Sequence, residues 1–152
     1  MLQLIRGRGI HPTFLPQHAP ADLSSGSGLR KGRILVVEDD YFVALELEHR
    51  LREADFEVVG IAATAEEALE LAVSEKPDLA IMDVRLASAR DGVDAAIELF
   101  LRLGVPSVFA TAHADETTRR RAEKAEPIGW IQKPYAWEPL LELLQTALAR
   151  KC

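Results

Sequence analysis

The feature that most constrains this chain is Leu79-Ala80-Ile81-Met82-Asp83, four apolar residues that run straight into a carboxylate. A short unbroken apolar run reads as a strand covered on both faces, as the strands of a parallel sheet are. An acid ending such a strand lies at the carboxyl edge of the sheet, where open α/β folds place their chemistry. The arrangement recurs along the chain. Ile34-Leu35-Val36-Val37 runs into Glu38-Asp39-Asp40, Val108-Phe109-Ala110 leads to Thr111, and Trp130-Ile131-Gln132 leads to Lys133-Pro134. Four strand ends thus bring acids, a hydroxyl and an amine to one edge.

The segments between them read as helices. Val43, Ala44, Leu47, Leu51 and Ala54 share one face of a helix near Tyr41–Ala54. A second strand is expected at Glu57–Ala62. Thr64 then caps a helix, with Glu67 three residues on completing a capping box, and that helix stops before Pro77. The strand Asp78–Asp83 and the loop Val84–Asp91 precede a helix from Gly92 to Leu103. Val93, Ala96, Ile97, Phe100 and Leu101 form its apolar side, and Gly104 ends it. Val105–Thr111 is the next strand, with Pro106 tolerated at its start. Asp115 can cap a helix reaching Ala125 whose apolar side is only Ala122 and Ala125, so it buries little and is the easiest to shift. A strand at Ile128–Gln132 and a helix at Trp137–Arg150 with Leu140, Leu143, Leu144, Ala147 and Leu148 on one side complete the pattern. Strands alternating with helices in this way form a parallel sheet with helices on both faces, a doubly wound α/β fold.

Residues 1–32 differ in kind. Pro12, Pro16 and Pro20 alternate with glycines, and Ser24-Ser25-Gly26-Ser27-Gly28 reads as a linker, so a flexible extension is expected before a domain at 33–152. An alternative is an arm that docks on a partner or a second copy through Leu2, Leu4, Ile5, Phe14 and Leu15. No output domain is expected beyond the last helix. The net charge is −6, and the first 30 residues carry Arg6, Arg8 and Arg30 against Asp22, so the body is the more acidic part. That argues against direct DNA binding, which needs a basic footprint. Arg119-Arg120-Arg121 is a local basic cluster, read as a solvated helix face. No apolar run nears the roughly 18 residues of a membrane span, and the first residues are too soon interrupted for a secretory signal. Cys152 is the one cysteine, which suits a reducing, cytoplasmic setting.

The strand-end residues share a chemistry. Glu38, Asp39 and Asp83 are carboxylates that repel one another unless a hard cation joins them, and Mg²⁺ takes such oxygens while keeping several waters. Thr111 can hydrogen-bond a phosphoryl oxygen, and Lys133 offers a compact positive charge to a carboxylate or to a phosphoryl group. Together the parts match Mg²⁺-dependent phosphoryl transfer to Asp83, followed by hydrolysis of the acyl phosphate. Separately each has a plainer reading: Asp39 or Asp40 could cap the first helix, and Thr111 is a good strand residue.

Residues 33–150 resemble the receiver domain of two-component response regulators. The matching pieces are the run Ile34 to Asp40, Asp78 to Asp83, Asp91-Gly92, Ala110-Thr111-Ala112 and Lys133-Pro134. The resemblance implies a flavodoxin-like five-stranded sheet in the order 2-1-3-4-5. Asp83 is then the phosphoacceptor, Asp39 and Asp83 bind Mg²⁺ directly, Glu38 binds it through water, and the backbone carbonyl of Arg85 completes the protein ligands. Thr111 and Lys133 take the switch-hydroxyl and conserved-lysine roles, Trp130 takes the aromatic switch position, and the Lys133–Pro134 bond is cis. Arg85 and His113 stand where the family tunes dephosphorylation. The chain departs from the family where the usual Met-Pro after the acceptor is missing and the loop to Gly92 is one residue longer. In this it resembles receivers paired with HWE-type histidine kinases. Phe109-Ala110-Thr111 is similar to a Phe-Ala-Thr subgroup that is often single-domain, with Ala112-His113 in place of its Gly-Tyr.

The implied function is a stand-alone receiver, phosphorylated by a histidine kinase and signalling through the face made by the fourth helix, the fifth strand and the last helix. A phosphotransfer shuttle and a phosphorylation-independent interaction module are the alternatives, and a homodimer is possible. No enzymatic activity is expected beyond self-catalysed phosphoryl uptake and autodephosphorylation. An aspartate-nucleophile phosphatase would carry a second acid where Arg85 stands, and no Gly-rich loop follows the first strand to hold a nucleotide or flavin.

Overall fold

Each apolar run forms a strand. β1 (Arg33–Val37), β2 (Glu57–Ala62), β3 (Leu79–Asp83), β4 (Ser107–Thr111) and β5 (Gly129–Gln132) alternate with α1 (Tyr41–Glu53), α2 (Ala65–Glu75), α3 (Gly92–Leu103), α4 (Glu116–Ala122) and α5 (Trp137–Ala149) in the computed structural model. It describes residues 30–150. The expected extension and docking arm, save its last few residues, and Cys152 lie outside the described residues. The strands are all parallel, in the order β2-β1-β3-β4-β5.

Alternation along each strand divides the interior into two layers. Leu35, Val37, Ala80, Met82 and Phe109 pack with Ala65, Ala68 and Ala72 of α2 and Val93, Ala96 and Leu99 of α3. Ile34, Val36, Leu79, Ile81 and Val108 pack on the other face with Ala44, Leu47 and Leu51 of α1 and Leu140 and Leu144 of α5. Each buried Val, Leu, Ile, Met or Phe side chain among them stabilises the fold by roughly 1.5–3 kcal/mol, and each alanine methyl by about 0.8 kcal/mol. The apolar runs therefore outweigh any single cap or ion pair in placing the strand ends.

The helix signals mostly act as written. Thr64 Oγ1 accepts the Glu67 N–H at 3.2 Å, while the Glu67 carboxylate reaches back to the Ala63 N–H at 3.0 Å, one residue before the cap. Gly104 closes α3 in the left-handed region at φ 67°. Two expectations are corrected. Leu101 does not belong to the buried side of α3: it is 68% exposed, and the covered stripe is Gly92, Ala95, Ala96 and Leu99, joined by Val93. The cause is Gly92, where a Cβ would stand 1.8 Å from the Asp83 carbonyl oxygen. That close approach sets the rotation of the helix, and the stripe begins one residue earlier than the apolar pattern suggests. The fourth helix does not run unbroken to Ala125. It is α-helical to Ala122 and tightens to a 3₁₀ turn over Glu123–Ala125, with Ala122 and Ala125 its buried residues as expected. Strands β3, β4 and β5 start one or two residues late. At β4 the cause is Pro106, which has no N–H for the ladder, although its carbonyl accepts from Ala80 at 2.9 Å.

Candidate functional site at the carboxyl edge of the sheet

Register assembles this edge. Val37 lies opposite Met82, Asp83 opposite Ala110, and Thr111 opposite Gln132. Glu38, one residue past Val37, therefore falls beside Asp83, and Lys133, one past Gln132, falls beyond Thr111. Backbone bonds carry the ladder past the strand ends: Glu38 N–H donates to the Ala62 carbonyl and Lys133 N–H to the Thr111 carbonyl, both at 2.9 Å. The result is a cavity of about 430 Å³ lined by Glu38, Asp39, Asp83, Arg85, Thr111, His113 and Lys133, among others.

Lys133 Nζ donates to Glu38 Oε2 at 2.7 Å and to Asp83 Oδ2 at 3.1 Å. Asp83 Oδ1 accepts the Arg85 N–H at 3.1 Å, and Glu38 Oε1 accepts the Asp40 N–H at 3.2 Å. Glu38 and Asp83 are buried, whereas Asp39 is exposed. Burial by itself would lower the Lys133 pKa, but its bond to Glu38 and the charges of Asp83 and Glu38 raise it above the usual lysine range. The Asp83 pKa is raised as well, which for a carboxylate disfavours the charged form. Burial first, then the charge of Glu38, pushes it up to about 6 in spite of Lys133 and the Arg85 N–H. The pocket thus holds more negative charge than Lys133 offsets.

Two adjacent acids have separate duties. Asp40 caps α1, its Oδ1 accepting the N–H groups of Phe42 at 3.0 Å and Val43 at 3.1 Å. Asp39 is left to the pocket. One carboxylate oxygen from each of Glu38, Asp39 and Asp83 can be chosen so that all lie within 4.8 Å of one another. An all-oxygen, net-negative donor set of this size fits a hard divalent cation such as Mg²⁺.

Thr111 Oγ1 donates to the His113 carbonyl at 3.0 Å and accepts the His113 N–H at 3.2 Å, so the hydroxyl is engaged with its own loop. His113 meets Thr111 through its backbone; its exposed side chain stands on the rim of the cavity. Trp130 lies outside that cavity, in an adjoining groove with Thr111, His113 and Arg119. Its ring stacks on Phe109 with centroids 4.7 Å apart, and the Arg119 guanidinium sits 4.7 Å above it. The Lys133–Pro134 bond is cis.

The sequence reading gives Tyr135 no role, takes Arg119 and Arg121 only as parts of a solvated helix face, and does not foresee the pairing of Arg121 with Asp91. Tyr135 donates its hydroxyl to Glu38 Oε2 at 3.2 Å. Burial, then the charges of Glu38 and Asp83, push the phenol pKa upward, so it stays a donor. Asp91 caps α3 and pairs with Arg121 of α4. Burial opposes its ionisation, yet Arg121 and the first N–H groups of α3 hold its carboxyl below the usual range. An aromatic residue directly after a Lys-Pro at the sheet edge was the one available signal for Tyr135.

Among the described residues no helix is long and apolar enough to cross a membrane. The transcriptional regulatory protein PdtaR of Mycobacterium tuberculosis is 37% identical over 118 residues, covering 78% of this chain and 57% of PdtaR. The chain spans about half the length of several curated relatives it matches. The signal receiver domain of a modulated diguanylate cyclase from Desulfovibrio desulfuricans aligns with a TM-score of 0.75 at 32% identity, over 80% of this chain and 97% of that one. A CheY-like receiver domain protein from Methanospirillum hungatei aligns at 0.73 and 29%, over 80% and 96%. Residues 34–145 match the family described as the response regulator receiver domain, and the chain belongs to that family.

Proposed function

We propose that this receiver takes a phosphoryl group onto Asp83 from a histidine kinase and passes the signal on through protein contacts. The observation that carries the reading is the ammonium of Lys133 held at once against Glu38 and Asp83, beside a carboxyl pushed up to about 6. A buried, electrostatically strained carboxylate with a movable cation next to it is suited to accept phosphorus.

In this reading an Asp83 oxygen bonds to phosphorus as the phosphorus–nitrogen bond of the donor phosphohistidine breaks, the bonding pair staying on the imidazole. Lys133 turns from the carboxylates toward the phosphoryl oxygens, and Thr111 leaves the His113 backbone to donate to one of them. Asp39, Asp83 and the Arg85 carbonyl would hold a bound Mg²⁺, with Glu38 acting on it through water. A bound Mg²⁺ supplies charge neutralisation to the phosphoryl oxygens during transfer. Water later attacks the acyl phosphate and returns the carboxylate, at a rate tuned by the side chains of Arg85 and His113.

The output face is α4, β5 and α5, with Trp130 responding to Thr111. The long loop after Asp83 supports an HWE-type kinase as donor, and Phe109-Ala110-Thr111 supports single-domain action. Intact mass after incubation with Mg²⁺ and a small phosphodonor tests the core of the proposal. One added phosphate is expected on the wild type and none on Asp83→Asn; uptake by the Asn variant refutes it. Hydrogen exchange over residues 115–131, with and without a phosphoryl mimic, tests the output face, and unchanged exchange counts against it. Transfer from phosphorylated receiver to a histidine phosphotransfer protein would mark a shuttle instead.

A further inference from the structure

We infer that Tyr135 is a positioning residue for phosphoryl uptake: its hydroxyl takes over Glu38 when Lys133 leaves it. The inference rests on Asp83 being the phosphoacceptor. Glu38 is 2% exposed, so each of its oxygens needs a hydrogen-bond donor, and a water held on a cation can serve one of them at most. Oε1 has the Asp40 N–H at 3.2 Å. Oε2 has two donors, Lys133 Nζ at 2.7 Å and the Tyr135 hydroxyl at 3.2 Å. The nearer of them is the group that must move.

A phosphoryl group brings about −2 charge and strong acceptor oxygens to Asp83, and these draw the ammonium away from Glu38. Without Tyr135 that motion would strand a buried carboxylate oxygen, and the cost of the stranded oxygen would hold Lys133 back. The phenol removes this obstacle. Its ring packs against the layer of Ile34, Ile131 and Leu140, and Lys133 Nζ lies 5.6 Å from its centroid. The hydroxyl is therefore fixed while the lysine swings beside it. A neutral donor also leaves Glu38 its full negative charge, which a second ammonium in this place would cancel. Phenylalanine would fill the same space and supply no donor.

The test compares the full chain with Tyr135→Phe in three measurements: the unfolding midpoint without metal, the Mg²⁺ affinity, and the affinity for beryllofluoride, a phosphoryl mimic, at saturating Mg²⁺. Lys133 still satisfies Glu38 in the metal-free variant, so the midpoint stays near wild type and Mg²⁺ affinity within about twofold. Beryllofluoride affinity falls about tenfold, the order expected for one stranded buried acceptor. In a Lys133→Ala background the loss disappears, because no ammonium leaves Glu38 there. Equal beryllofluoride affinity with and without the hydroxyl overturns the inference. So does a loss matched in Mg²⁺ affinity, a steep fall in the midpoint, or a loss that persists without Lys133. A wild type that binds no beryllofluoride overturns the phosphoacceptor reading itself, and this inference with it.

Discussion

Replacing Asp83 with Asn should make the metal-free protein more stable at neutral pH. Asp83 has its pKa raised from the ordinary 3.8 to about 6, chiefly by burial and next by the charge of Glu38. Between those two values the folded chain keeps a proton that the unfolded chain has lost. Stability therefore falls as pH rises through this window, and above about 6 the full cost is present. The shift of about 2 units corresponds to about 3 kcal/mol as an upper bound, at 1.36 kcal/mol per unit. The side chain is nearly covered but faces a cavity open to water, and screening there reduces the expected gain to about 1–3 kcal/mol. Asparagine keeps the shape and an acceptor oxygen while removing the charge. The assay is urea unfolding of both proteins in a chelator, followed by tryptophan fluorescence at about pH 7.5 and about pH 4.5. The Asn variant should lead at the higher pH and the gap should close in acid. An Asn variant equal to or less stable than wild type at neutral pH, or a gap that does not narrow, refutes the reasoning. Mg²⁺ should then stabilise the wild type and not the variant. Because proton and cation compete for Asp83, apparent Mg²⁺ affinity should fall about tenfold per pH unit below 6.

Other substitutions separate roles that lie close together. Gly92→Ala places a Cβ 1.8 Å from the Asp83 carbonyl oxygen; the expected cost is at least about 2–3 kcal/mol in urea unfolding, with phosphoryl uptake falling too. Gly104→Ala meets open space at φ 67° and should cost only about 1 kcal/mol. Asp40→Ala removes the α1 cap and should cost about 1 kcal/mol while leaving Mg²⁺ affinity nearly unchanged. Asp39→Ala should do the reverse, losing Mg²⁺ affinity in a titration with its unfolding midpoint kept. Arg119→Ala uncovers Trp130, worth about 0.5–1 kcal/mol for an exposed cation–π contact, and should shift tryptophan emission and speed amide exchange in α4.

The strands were legible because each is a short apolar run bounded by polar residues, and a parallel sheet leaves only one edge for their carboxyl ends. Register then set Glu38, Asp83, Thr111 and Lys133 side by side without further instruction. The division between Asp39 and Asp40 was not legible, since either acid suits a cap. The backbone turn decides it, placing Asp40 in extended geometry at φ −80°, ψ 109° ahead of α1. Leu101 fitted the helical period and still faces water, because the contact that orients α3 is made by a glycine, which periodicity does not weigh. Tyr135 reads locally as an apolar residue entering α5. Its partner Glu38 lies 97 residues away in the chain, and the preceding Lys-Pro signals its place at the sheet edge but not the bond. The engagement of Thr111 with His113 depends in the same way on a loop conformation that residue types alone leave open.

The weakness of α4 follows from the same local chemistry. The helix spans seven residues and buries Ala122, with Ala125 following in the 3₁₀ turn. Polar and aromatic contacts hold what apolar area does not: the Asp115 cap on the Thr118 N–H at 2.7 Å, Arg121 on Asp91, and Arg119 over Trp130. Each begins near the pocket. Asp91 ends the loop that leaves Asp83, Asp115 follows the loop that leaves Thr111, and Trp130 lies on β5, three residues before Lys133. Contacts of these kinds contribute about 0.2–2 kcal/mol each. A helix seated by three or four buried leucines would cost several times more to displace. A ligand shifts an equilibrium only by its difference in affinity for the two states. On the proposed reading the phosphoryl group has a few new hydrogen bonds at Thr111 and Lys133 to supply that difference, enough to move a helix held by polar contacts and too little to move one held by a large apolar face.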